Sequence, residues 1–377
     1  MKITQFLGIN NIADKTRLKT GEMVAATDID IGSTGNFGGR RGRELLAAGA
    51  AHSIYESAFG LLAVIDSDLV LTDFAGAVLR TVYPSIGYTR VWYATLADGR
   101  VAFSNGLING LATAATTAEW GIDAPPTAGE GIPGDTMYQV SYTRLSDGLE
   151  GPPTYGTLID TTQAIIGLQP VPGYVINVYF APHGQAMFWA GSTLTDTYTH
   201  SGPVLGGQWT GIGLSRPPAG TQITPWLSRV LLAQGSTLWA TRPLQPELVD
   251  LTQDFIQFPS DITLIYGTNS GVFIGTSEGV TWLDGTVFGE MRSQQIATGH
   301  VALGSAVEFP LGYLNEKKRP QGLLQGAICL VGGVAHLIYG NGQIIALTAE
   351  RYRTEATEVY ATVRMRDGLM QYLAAPA

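Results

Sequence analysis

Asp28 and Asp30 stand two apart in the run ATDIDI, so on an extended chain both carboxylates leave one face while Ile29 and Ile31 leave the other. Two acids so spaced can share a cation, but no further oxygen donors follow at the intervals a calcium or magnesium loop needs. Ionic pairing fits better. After the turn GSTGN the chain returns through NFGGRRGR, which brings Arg40, Arg41 and Arg43 back beside the aspartates. The run GSTGNFGG is glycine-rich, yet it lacks the Lys-Ser/Thr pair and the following helix of a phosphate cradle. His52, His183, His200, His300 and His336 are scattered without an HxH or HExxH interval, so no zinc site is expected. Cys329 is the only cysteine and lies in the apolar run AICLV, which predicts a buried thiol and no disulfide framework. Asp66 and Asp68 sit at a hairpin turn, where aspartate usually supplies turn geometry. No catalytic residue, metal or cofactor is expected from these patterns.

The stretch GVFIGTSEGVTWLDG, Gly271 to Gly285, comes nearest to a recognised box. Its second half fits the S-x-D-x-G-x-T-W Asp-box of propeller sialidases at Gly279, Thr281 and Trp282. Gly275 and Ser277 stand where that box has Ser and Asp. Even an intact Asp-box stabilises a turn rather than performing chemistry. The stretch therefore reads as a hairpin, with strands at Val272–Gly275 and Val280–Leu283 and a turn at Thr276–Gly279.

Five companions share its form of apolar strand, Gly or Asp turn, and second strand. They run from Leu61 to Pro84, Thr89 to Ile108, Ser228 to Leu244, Gly326 to Thr348 and Glu358 to Ala374. Once one interruption is removed, most lie about 40–50 residues apart, the spacing of propeller blades. The interruption opens with the Pro/Gly-rich APPTAGEGIPGD and continues through MYQVSYTRLSDGLEGPP, where Tyr138, Val140 and Tyr142 alternate as on a half-buried strand. Its turn signals recur every 8–12 residues or so, the rhythm of a small β-sandwich. Helical period is nearly absent; the best window, Arg43 to Ala58, is broken by Gly49. The expected architecture is all-β: a β-propeller of about six blades with an inserted fibronectin/immunoglobulin-like sandwich. The expected divisions are an N-terminal arm and hairpin at 1–50, propeller at 51–123 and 216–377, and the sandwich at 124–215.

Charged residues make up only 14% of the 377, and glycine and proline number 48 and 19. Low charge with many turn formers predicts a surface partly covered by neighbours, hence an oligomer. A net charge of −9 argues against tight binding to nucleic acid through its phosphates, though not against DNA passing without sticking. The start MKITQFLGINN has no apolar signal core, and no run approaches the ~20 apolar residues of a membrane span, so a soluble cytoplasmic product is expected. Trp92, Trp239 and Trp282 fall in repeat strands, where blade packing is their expected role. Trp189 and Trp209, in or beside the insertion, are the candidates for exposed aromatic contact. The basic run Lys317, Lys318 and Arg319 is a candidate for pairing with acids of a neighbouring subunit.

The order of these segments resembles that of bacteriophage tail proteins of the nozzle type and the related packaged-DNA stabilisation proteins. That family often begins with F-x-G-x-N-N, matched here by Phe6, Gly8, Asn10 and Asn11. An acidic D-x-D strand (Asp28, Ile29, Asp30), an R-x-G element matched here by Arg41, Gly42 and Arg43, and a strand with His52 and Ser53 follow. In place of the family's common R-x-R-P-G this chain has Arg40, Arg41, Gly42 and Arg43, without the proline. The resemblance implies a propeller with an inserted sandwich, and a structural virion protein rather than an enzyme. It further implies a homohexameric ring that contacts the tail tubular adaptor and tail fibres and channels DNA during ejection. The Phe6–Asn11 arm, the Asp28/Asp30 and Arg40–Arg43 hairpin and the Lys317–Arg319 run would then lie at subunit or adaptor interfaces. The alternative is a propeller that binds or cleaves glycan, with Trp189 and Trp209 as stacking platforms.

Overall fold

The computed structural model describes residues 8–25, 29–31, 37–39, 48–160, 164–182, 185–200, 206–208, 213–313, 326–366 and 369–377. Within them the chain is a β-propeller whose six units coincide with the six hairpins of the sequence. Five are four-stranded antiparallel meanders. Blade 1 comprises Ala51–Ser57, Gly60–Ile65, Asp68–Thr72 and Val78–Tyr83; blade 2 comprises Trp92–Thr95, Val101–Ser104, Asn109–Ala112 and Thr117–Ala118. Blade 3 is Gln222–Trp226, Arg229–Gln234, Thr237–Ala240 and Phe255–Gln257; blade 4 is Ile262–Gly267, Gly271–Thr276, Gly279–Asp284 and Arg292–Thr298. Blade 5 is Val307–Glu308, Gly326–Val331, Val334–Tyr339 and Ile344–Ala346. The sixth unit is, among the described residues, the hairpin Val359–Arg366 with Leu369–Pro376.

Packing between blades explains why their middle strands read as unbroken apolar runs. In the strand Gly271–Thr276 of blade 4, Val272 and Ile274 pack with Leu231 and Leu238 of blade 3. Phe273, between them, faces the other way and packs with Ala327 and Cys329 of blade 5. Alternation therefore points to two buried faces instead of one buried and one wet. The same sharing joins blades 1 and 2 through Leu62, Leu71 and Phe103, and blades 2 and 3 through Ala94, Trp120 and Leu232. Ile328 and Leu337 of blade 5 pack against Val363 and Tyr372 of the hairpin. Trp282 is such an inter-blade residue, 5% exposed and with its ring 4.5 Å from that of Phe273. Gly271 makes room for it, since a Cβ there would lie 2.5 Å from the indole. Cys329 is fully buried, and desolvation pushes its thiol up to about 12, so it is an inert packing group.

The insertion leaves the propeller between blades 2 and 3. Its long strand Pro133–Arg144 pairs with Tyr174–Pro182 on one side and with Glu150–Pro153 and Thr157–Ile159 on the other; Phe188–Thr193 extends the sheet. Tyr138, Val140 and Tyr142 point to one face and are buried with Ile176, Val178 and Ala190. Ile165, from the short pair Ala164–Ile165 with Tyr198–Thr199, closes this core from the second layer. From the helical window Arg43 to Ala58, the described part beginning at Ala51 is the first strand of blade 1. A β-bulge between His52 and Tyr55 breaks its pairing register there.

Candidate functional site

Of the residues singled out in the sequence, Phe6, Asp28, Arg40, Arg41, Gly42, Arg43, His183, Trp209, Lys317, Lys318 and Arg319 lie outside the described residues. Asp30 lies in the hairpin Ile29–Ile31 with Phe37–Gly39, opposite Gly38. Asn10 is buried; its side-chain oxygen accepts from the Ala13 amide at 3.0 Å and its Nδ2 donates to Glu22 at 3.3 Å. Asn11 works as an extra piece of backbone. Its Nδ2 donates to the Arg353 carbonyl at 2.8 Å, and its Oδ1 accepts from the Arg353 amide at 3.1 Å. Both asparagines thus tie the N-terminal segment within this chain, Asn11 to the link between blade 5 and the final hairpin. Trp189 lies on Phe188–Thr193 of the sandwich and is 38% exposed.

The sandwich meets the propeller at a long loop of blade 3, residues 241–254, whose centre is the buried Glu247. This carboxylate accepts from Arg100 Nη1 at 2.6 Å and from Arg144 Nη1 and Nη2 at 2.9 and 3.0 Å. Arg100 belongs to blade 2, Arg144 to the sandwich and Glu247 to blade 3, so one buried acid ties three elements. The bonds to Glu247, and then to Asp147, push the Arg144 guanidinium up, and the same Arg144 bond holds Asp147 below the usual carboxylate range. Next to this cluster Trp120 is fully buried and donates its indole N–H to the Pro246 carbonyl at 2.7 Å. Where the chain returns to the propeller, Leu214–Ser215 pairs with Val249–Asp250 of the same loop.

Beside the clamp a cleft of ≈ 560 Å³ opens between sandwich and propeller, with Glu150, Tyr179, Trp189 and Gln208 on the sandwich side and Arg242 and Gln245 on the propeller side. One oxygen of Glu150 takes three donors: Ser141 Oγ, Asn177 Nδ2 at 3.1 Å and Tyr179 OH at 2.6 Å. Gly206 backs the tryptophan, since a Cβ there would sit 2.6 Å from the Trp189 carbonyl and 2.8 Å from ring atom Cε3. Arg242 is paired with Asp250 at 3.3 Å. The sequence marked Trp189 only. The signals for Arg100 and Arg144 were faint: each flanks an Asp–Gly turn, where an arginine normally reads as solvated. Among the described residues, no group of three or more His, Cys, Asp or Glu is placed to hold a metal.

A second polar centre lies where blades 1, 2 and 5 meet the final hairpin, in a cleft bordered by Ser53, Tyr55, Arg90, Trp92, Glu308 and Tyr360. Ser53 has φ of 52°, and its hydroxyl accepts from the Val91 amide at 2.9 Å and bonds His52 Nδ1 at 2.8 Å. Among the described residues, the buried His52 Nε2 has no hydrogen-bond partner. Burial, and then the charge of Arg90, hold the His52 pKa below 6.5; burial does the same to His200. The folded state therefore binds fewer protons than the unfolded state between the lowered value and 6.5. Stability is expected to be full above pH 6.5 and to fall as pH drops through that window. Urea midpoints measured from pH 8 to 5 test this, and His52→Gln is expected to flatten the slope; an unchanged slope removes His52 from the account.

No protein-family model matches the sequence, and no curated protein matches it. Among solved structures, streptogramin B lyase is similar at 10% identity over 86% of this chain and 93% of that one, with a TM-score of 0.33. The extracellular domain of a one-component system from B. thetaiotaomicron is similar at 10% identity, covering 82% of this chain but only 37% of its own, with a TM-score of 0.33. Apo AztD from Citrobacter koseri is similar at 11% identity over 85% and 88%, with a TM-score of 0.22. At these scores none of the three bears on fold or activity, and the propeller assignment rests on the strand pairing itself.

Proposed function

We infer that the chain is a non-enzymatic structural subunit of a phage tail. It assembles as a closed homohexameric ring below the tubular adaptor, with tail fibres as further neighbours, and forms a nozzle that gates and channels DNA during ejection. The order of the N-terminal motifs supports the family, and the observation that carries the subunit role is a pair of leucines. Leu227 and Leu244 are 54% and 82% exposed and have φ of 50° and 60°, the left-handed region. They are adjacent, because the Leu244 amide donates to the Ser228 carbonyl at 2.8 Å. With Leu96, Pro225 and Pro246 they border a hollow of ≈ 350 Å³ on the propeller. A left-handed leucine costs about 1–2 kcal/mol, and with both side chains largely exposed little burial among the described residues offsets it. Contact with a neighbouring subunit would offset it, through roughly 1.5–3 kcal/mol per buried leucine. The acidic net charge of −9 suits a lumen past which DNA slides, and virion assembly in the host cytoplasm follows from the same reading.

The test separates assembly from folding. Glycine relieves the strain at both positions, so the double variant Leu227→Gly/Leu244→Gly is expected to keep monomer stability within about 1 kcal/mol while losing the ring. Light scattering and negative-stain images of the wild type should show a sixfold ring, and mass spectrometry of purified virions should find the chain. A wild type that stays monomeric at high concentration and is missing from virions would sink the proposal.

A further inference from the structure

We propose that the cleft at the sandwich–propeller junction is a saccharide-binding site that takes neutral pyranose units of a host surface polysaccharide. Its geometry is that of a platform with fixed polar walls. Trp189 is 38% exposed and borders the cleft, and Gly206 lies so close that a Cβ there would stand 2.8 Å from ring atom Cε3. A flat, amphipathic indole held in one pose offers a large contact area at little entropic cost, and it matches the C–H face of a pyranose ring. The polar groups around it are planar and suit paired hydroxyls: the Glu150 carboxylate and the amides of Gln208 and Gln245. Glu150 is already oriented by Ser141, Asn177 and Tyr179 on one oxygen, so a ligand hydroxyl meets an acceptor that needs no rearrangement.

The charges argue for a neutral ligand. Arg242 is the one cation among the described lining residues and is engaged by Asp250, so a phosphate would meet the fixed carboxylate of Glu150 without a free counter-charge. Glu150 is also the only acid among those lining residues, whereas hydrolysis needs two carboxyl groups across the scissile bond. The site therefore holds sugar rather than cleaving it. The inference is independent of ring assembly: it concerns one protomer, and its failure leaves the conduit reading untouched.

Saturation-transfer-difference NMR on the purified full chain tests it, with neutral gluco-, manno- and galacto-configured hexasaccharides at millimolar concentration and the oligonucleotide dT10 as the anionic probe. Saturation of ring C–H protons is expected for at least one sugar, with quenching of tryptophan fluorescence and no signal from dT10. Trp189→Ala is expected to weaken binding by about tenfold or more, Trp189→Tyr by less, and Gly206→Ala to act like a partial loss of the platform. Tyr88→Ala, at an exposed tyrosine outside the cleft, should leave binding unchanged, and circular dichroism checks that each variant is folded. The proposal is overturned if none of the three sugars gives saturation transfer, if dT10 binds in their place, or if folded Trp189→Ala and Trp189→Tyr both bind as the wild type does.

Discussion

Replacing Glu247 by alanine is expected to cost about 3–5 kcal/mol and to release the sandwich from the propeller. The magnitude is that of breaking a buried ion pair by deleting one partner, which leaves uncompensated charge behind. Here two guanidiniums lose their shared acceptor; the Arg144 and Arg100 side chains are only 16% and 27% exposed, and that of Glu247 3%. Each arginine keeps a second acid, Asp147 and Asp98 respectively, but both acids are nearly half exposed and water screens those bonds. Glu247→Gln keeps the volume and one acceptor oxygen and should cost less. Calorimetry is expected to resolve one cooperative transition into two, with faster proteolysis at 119–123 and 213–217, where the chain enters and leaves the insertion. A loss below about 1 kcal/mol with a single transition would show that packing around Trp120, and not the carboxylate, holds the modules together.

Replacing Arg90 by alanine is expected to loosen the last unit of the ring, at about 2–4 kcal/mol from one lost charged hydrogen bond and two lost cation–π contacts, to Tyr360 and, more distantly, to Trp92. Arg90 lies between blades 1 and 2, yet its Nη2 donates to the Val359 carbonyl at 2.7 Å and its guanidinium stands 3.9 Å from the Tyr360 ring centroid. Glu358 is 3.7 Å away, and the arginine side chain is 9% exposed. This one side chain therefore links the first blades to the final hairpin. Lysine should not rescue it, because an ammonium lacks the planar face that stacks on Tyr360. Gly304 supplies an independent check. It has φ of +74°, and a Cβ there would lie 1.6 Å from Arg90 Nη1, so Gly304→Ala is expected to displace the arginine and reproduce its loss. The two changes together should cost less than their sum. Hydrogen exchange should show the amides of Val359–Arg366 losing protection first, and uniform loss across all blades would count against a local latch.

The hairpins were legible because their information is local. A middle strand buried on both faces must be apolar throughout, and its turn must supply Gly, Asn or Asp, so GVFIGTSEGVTWLDG shows its strands and turn without reference to the rest of the chain. The fourth strand of blade 4, RSQQIAT, was not legible, because it is mostly exposed and its pairing with Gly279–Asp284 comes from position rather than pattern. In the junction site, Trp189 was legible as an aromatic outside the repeat. Glu150, Gln208 and Gln245 were not, since a polar residue at a strand end or in a loop reads as solvated until another module covers it.

Residue pattern alone was enough to read a propeller of hairpin units with a sandwich between the second and third. Which charges join the modules depends on folding: Glu247 meets Arg100 and Arg144 across 147 and 103 residues, and Arg90 meets Val359 across 269. The reason is physical. Apolar alternation encodes burial in neighbouring residues, whereas an arginine beside a turn is the same residue in water or in a buried clamp, and only the loop that folds over it makes the difference.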